Sequence, residues 1–127
     1  MNKKYSSTSN SKYRDSMGNV KKFRQASTYQ LKELEKSDDL LITGKMVRNF
    51  RKPTERIADS GRLEPTYNEE NVSIYFYFDV KNELIAFSER QSFGYNQFTT
   101  AFNFLLNQNS KGYRFEIFLQ KDNAVLQ

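Results

Sequence analysis

Residues 72–80, VSIYFYFDV, constrain this chain more than any other stretch. Val72, Ile74, Phe76, Phe78 and Val80 fall on one side of an extended chain and Ser73, Tyr75, Tyr77 and Asp79 on the other. That period of two, carried by β-branched and aromatic side chains, specifies a strand with one face against an apolar layer. Lys81 and Asn82 then separate it from ELIAFSE, residues 83–89, and so short a polar interval predicts an antiparallel hairpin.

From residue 95 the period changes. Phe98, Ala101, Phe102, Leu105 and Leu106 recur at helical spacing, which predicts an amphipathic helix over 95–108 lying on the sheet. Asn107, Asn109 and Gly112 supply its stop, and YRFEIFLQ, residues 113–120, alternates again as a last strand. If that strand runs parallel to 83–89, the crossover is expected to be right-handed. Between hairpin and helix lies QSFGYNQF, residues 91–98, where Phe93, Gly94 and Phe98 match the aromatic strand of an RNA-recognition motif. The helical stripe begins inside that motif, so a strand-to-helix corner is expected instead, with Phe93 beneath it and Ser92 or Asn96 as the cap. Arg90 beside the helix start adds a weak expectation of anion binding.

Upstream, LLITGKMVRNF places Ile42, Met46 and Phe50 on one face and reads as a strand, with Gly44 where packing is close. Residues 20–36, VKKFRQASTYQLKELEK, are rich in Lys, Gln, Leu and Glu and read as a helix with a weak apolar face. Residues 51–70 hold two prolines, Gly61 and mixed charge without a period, and read as a long loop. The expected fold is α+β: a small, mostly antiparallel sheet covered by one amphipathic helix, preceded by a basic flexible tail and a helix. A chain of 127 residues suits one domain, here 26–127, behind a tail of 1–25.

Charge supplies the functional reading. Residues 1–25 carry Lys3, Lys4, Lys12, Arg14, Lys21, Lys22 and Arg24 against Asp15 alone, although the whole chain is only +5. A second basic cluster at 45–56 holds Lys45, Arg48, Arg51, Lys52 and Arg56, whereas 57–89 is acidic. Lysines and arginines neutralise phosphates, and Tyr5, Tyr13 and Tyr29 between them are candidates to stack on bases. These twelve cations are therefore the expected contacts to RNA, DNA or a ribonucleoprotein.

The chain has neither cysteine nor histidine, which removes disulfides, thiolate chemistry and the usual general base. FDVKNE offers Asp79, Lys81 and Glu83 in loose likeness to a metal-dependent nuclease, yet reads better as a charged hairpin turn. A binding protein that is not an enzyme and needs no metal or cofactor is expected. With no window near the roughly 18 apolar residues of a membrane span and no apolar leader, the expected location is the cytoplasm.

The stretch FYFDVKNELIAFSERQSFGYNQFTTAFNFLL resembles small uncharacterised bacterial and phage domains with an aromatic strand, a hairpin, an F-G-x-x-Q-F corner and a helix. In composition and layout, a Lys/Ser/Tyr/Asn-rich tail ahead of a compact α+β domain resembles some phage-encoded anti-CRISPR proteins that act on Cas9. That resemblance implies a phage or mobile-element protein in a bacterial host cell, inhibiting a CRISPR-Cas nuclease by touching Cas9 or its guide RNA. The alternative is a protein–protein interaction module that uses the exposed Tyr75 and Tyr77 face or the long loop, with the basic tail incidental.

Overall fold

The computed structural model describes residues 4–37 and 40–108. Lys3, the expected strand at 113–120 and its crossover lie outside them. Five antiparallel strands follow one another in chain order across a curled sheet: β1 (Lys4–Arg14), β2 (Val20–Lys36), β3 (Leu41–Ile57), β4 (Leu63–Asp79) and β5 (Leu84–Phe87). The helix α1 (Tyr95–Asn107) packs on one face.

Two expectations are overturned. Residues 20–36 are a strand, not a helix, and the described part of the basic stretch forms β1 and the start of β2, not a tail. Phe23, Ser27, Tyr29 and Leu31 turn inward at a period of two, and Tyr29 is buried at 2% exposure. Helix propensity lost because β2 sits between β1 and β3, and tertiary pairing routinely outweighs the few tenths of a kcal/mol per residue that propensity supplies. The proposed boundary at 25/26 falls inside β2.

The loop expected at 51–70 is likewise mostly strand. β3 continues to Ile57, β4 begins at Leu63, and only 58–62 turn. Pro53 faces Tyr67 and Pro65 faces Glu55 in a ladder that β2 does not flank, so the missing N–H groups are tolerated on a free edge. Opposite charges meet across this ladder, with Arg51–Glu69 at 3.5 Å and Arg56–Glu64 at 3.4 Å.

The rest of the fold follows the periodicity. β4 and β5 form the expected hairpin, although β5 is shorter than 83–89. The corner closes through paired backbone hydrogen bonds between Arg90 and Phe93 (3.0 and 2.9 Å), and Phe93 and Phe98 are fully buried. The cap is Gly94, not Ser92 or Asn96, and its N–H donates to Gln97 Oε1 at 2.9 Å. Gly44 lies where packing is close: a Cβ there would lie 2.7 Å from Leu34 Cδ2 and 3.2 Å from the Lys32 carbonyl, where β2 bulges, so a larger residue would displace the Leu34 side chain.

Helix length determines how much of the sheet is covered. Thirteen residues span about 20 Å, which matches the width of five strands about 4.8 Å apart. α1 accordingly crosses the sheet, from Tyr95 against Phe87 (5.9 Å) to Phe104 against Tyr5 (4.8 Å). Strands of 17 residues are about 55 Å long. More than half their length therefore lies beyond the helix.

Beyond it the sheet forks. The β2–β3 ladder begins at Ser27↔Phe50, so residues 20–26 pair only with β1 and residues 51–57 only with β4. Two hairpin arms result, closed by equivalent turns. Asp15 N–H donates to Asn19 O and Gly18 N–H to Asp15 O; Ala58 N–H donates to Arg62 O and Gly61 N–H to Ala58 O. Gly18 and Gly61 supply the left-handed residue that this turn needs, at φ of 82° and 81°.

Candidate nucleic-acid interface

Strand alternation sorts the candidate cations by face. Residues paired across antiparallel strands share a face, so Lys12 opposite Lys22, Lys4 opposite Gln30 and Arg24 opposite Asn10 place these side chains with Arg14 on the side away from Tyr29. The ladders to β3 and β4 add Lys45 and Arg51 to that side, together with Tyr67, Tyr75 and Tyr77. Seven of the twelve sequence candidates and three half-exposed tyrosines thus occupy one outer face, which no described element covers.

The charge of this face is concentrated on the first arm. Strands β3 and β4 cancel, with five cations against Glu55 in one and four carboxylates in the other. Residues 4–25 hold six cations and Asp15. Asp15 is spent on its turn, where Oδ1 accepts from Met17 N (3.0 Å) and Asn19 N (2.8 Å). Lys12 and Lys22 therefore face each other directly across the ladder, an arrangement that costs stability unless an anion lies between them.

Geometry fixes several of these groups. Arg14 Nη1 donates to Gly18 O at 2.9 Å, and Arg24 Nη2 donates to Thr8 Oγ1 at 2.8 Å. Lys45 lies 5.9 Å from the Tyr75 ring centre and Arg51 6.0 Å from that of Tyr67, within cation–π range. Where the arms part, a cavity of about 240 Å³ is lined by Phe23, Arg24 and Ala26 from one arm and Arg51 and Tyr67 from the other.

Other candidates lie elsewhere. Lys21, Lys52 and Arg56 are on the opposite, helix-bearing face, where Arg56 pairs with Glu64. Arg48 is 5% exposed over the Phe50 ring (4.2 Å), and its guanidinium donates to Ser27 Oγ (2.9 and 3.2 Å), to Gln25 Oε1 (3.4 Å) and to the Ser92 carbonyl. It ties β2 to the corner before α1, and burial on the helix-bearing side keeps it from a phosphate on the outer face. Its position on the face of Ile42, Met46 and Phe50 was the sequence signal for that burial.

The tyrosines divide in the same way. Tyr29 is buried against Phe93 (5.6 Å), and Tyr5 packs between Tyr29 and Phe104, so neither offers a free ring to a base. Tyr13 meets Phe23 edge-on at 5.7 Å. Tyr67, in the expected loop, and Phe23, in the expected helix, are aromatic residues lining this cavity that the charge pattern does not reveal.

Two other readings of the sequence resolve into local structure. Asp79 Oδ2 accepts from Asn82 Nδ2 at 2.7 Å and Oδ1 from Asn82 N at 3.1 Å, and these bonds hold its carboxyl below the ordinary 3.8. Both oxygens thus serve the β4–β5 turn. At the start of α1, a Cβ on Gly94 would lie 3.5 Å from Glu89 Oε2, so a carboxylate already sits where an anion was expected. Among the described residues no three His, Cys, Asp or Glu side chains group as metal ligands. Among them, too, no helix is long and apolar enough to cross a membrane.

No curated protein and no solved structure matches this chain. A family model described as a domain of unknown function, DUF4747, matches residues 3–127, and the chain belongs to that family.

Proposed function

We propose that this domain binds nucleic acid, as RNA, DNA or part of a ribonucleoprotein, through the outer face of its forked sheet and without catalysing a reaction. The observation that carries the reading is the sorting of Lys4, Lys12, Arg14, Lys22, Arg24, Lys45 and Arg51 onto one uncovered face with Tyr67, Tyr75 and Tyr77. Phosphates relieve the Lys12–Lys22 opposition and release counterions, while exposed rings accept bases. The resemblance in composition to anti-CRISPR proteins makes Cas9 with its guide RNA one ribonucleoprotein on which inhibition is worth assaying.

A face-resolved comparison tests this reading better than removal of residues 1–25, since that deletion takes away an entire sheet strand. In fluorescence anisotropy with a labelled oligonucleotide, Lys12→Glu with Lys22→Glu is expected to weaken binding at least tenfold. Lys21→Glu with Lys52→Glu, on the other face, should weaken it less. Equal losses from both pairs would mean that the protein's net charge, and not this face, attracts the ligand.

A second reading rests on Tyr75 and Tyr77, 65% and 51% exposed, beside a hollow of about 540 Å³ lined by Glu33, Leu34, Glu35, Thr43 and Gly44. Its acidic rim and apolar floor suit a basic peptide. Capture of a protein that survives nuclease treatment and is lost on Tyr75→Ala would favour it.

A further inference from the structure

We infer that the ligand of the outer face is single-stranded, and that one of its bases enters the slot where the two hairpin arms separate; this rests on the nucleic-acid reading above. The slot begins just past Ser27↔Phe50, the pair that starts the β2–β3 ladder. Gln25 Nε2 bridges to Arg51 O at 3.0 Å across it, and at the tips Glu55 accepts from Ser16 N (2.8 Å) and Ser16 Oγ (2.9 Å). The arms are therefore held apart at a fixed width by side chains instead of closing as a ladder.

The walls have the chemistry of a base site. Arg24 and Arg51 flank the opening on the phosphate-facing side, and Phe23 and Tyr67 supply the apolar surface. Guanidinium planes and aromatic rings are the groups on which unpaired bases stack. Arg24 is oriented by Thr8, and Arg51 by the Tyr67 ring and an exposed ion pair to Glu69 that contributes little. At about 240 Å³ the cavity is below the usual range of roughly 300–1,000 Å³ for drug-sized ligands, a size that suits one planar ring system. A duplex keeps its bases stacked inward and has none to offer, so the slot discriminates by strandedness.

The test uses the full chain and three labelled probes of equal length: a single-stranded oligonucleotide, the corresponding duplex, and an abasic single strand that keeps only sugar and phosphate. Ala26 is exposed on the slot wall, so Ala26→Leu fills the slot without touching the core. The wild type is expected to bind the single strand about tenfold more tightly than the abasic strand, and Ala26→Leu and Tyr67→Ala to shrink that difference severalfold, Ala26→Leu with the abasic affinity unchanged. Thermal melting by circular dichroism verifies that both variants fold. Equal binding of single and abasic strands by the wild type, or of base-bearing strand by wild type and Ala26→Leu, overturns the slot but leaves phosphate binding intact. Failure to bind any of the three probes overturns both.

Discussion

The sheet carries two halves built from the same strands on different terms. Under α1, inward positions are Tyr29, Met46, Ile74 and Phe76, closed by Phe98, Phe102 and Leu105 from the helix. In the fork, Ser9 and Ser11 of β1 and Lys52 and Thr54 of β3 hold equivalent positions, and no described element covers them. Apolar burial holds the first half. The second is held by ladder hydrogen bonds and the Ser16–Glu55 bridge, to which the exposed cross-strand charge pairs add little. A sheet that extends beyond its core gains surface, not stability.

Mutations should separate the halves by stability. Phe98→Ala removes a fully buried ring in contact with Phe76, Phe87, Phe93 and Phe102 and should cost about 3–5 kcal/mol in urea unfolding. Tyr67→Ala in the fork, half exposed, should stay within about 0.5 kcal/mol. Comparable losses at the two sites would erase the distinction.

Arg48 stands at the junction. Arg48→Leu leaves Ser27 and the Ser92 carbonyl without their donor, at a cost of about 2 kcal/mol. Hydrogen exchange should then rise at the corner residues 90–93 before it rises across the covered sheet. If exchange is unchanged there, the guanidinium is not what fastens the corner.

The smallest effect concerns Asp79 at the end of β4. The Asn82 side chain and backbone lower its pKa when folded, so its stabilising share is complete above its unfolded value and disappears as pH falls through the lower, folded one. An NMR pH titration should show Asp79 protonating at a lower pH in the native protein than after Asn82→Ala. An identical midpoint would show that the turn does not hold the carboxylate.

The covered half was legible in the sequence and the fork was not, for one physical reason. Periodicity reports burial contrast, and 72–80 and 98–106 alternate between core and solvent. In KYSSTSNSKYR only Tyr5 and Tyr13 set the half-buried face apart from the exposed one, and in 51–57 charges fill both sides, so no apolar period marks either strand. The basic residues were visible, but their division between faces depends on register, and the cancelling of β3 by β4 depends on pairing.

The most direct measurement is the salt dependence of single-strand binding. For a single strand, log K falls with log salt by about 0.7 per phosphate neutralised. Replacing Lys12, Lys22 and Arg24 with Gln should therefore reduce the slope by about 2 relative to the wild type, with the fold preserved. A slope that three outer-face substitutions leave unchanged, or a wild-type affinity indifferent to salt, would contradict the account.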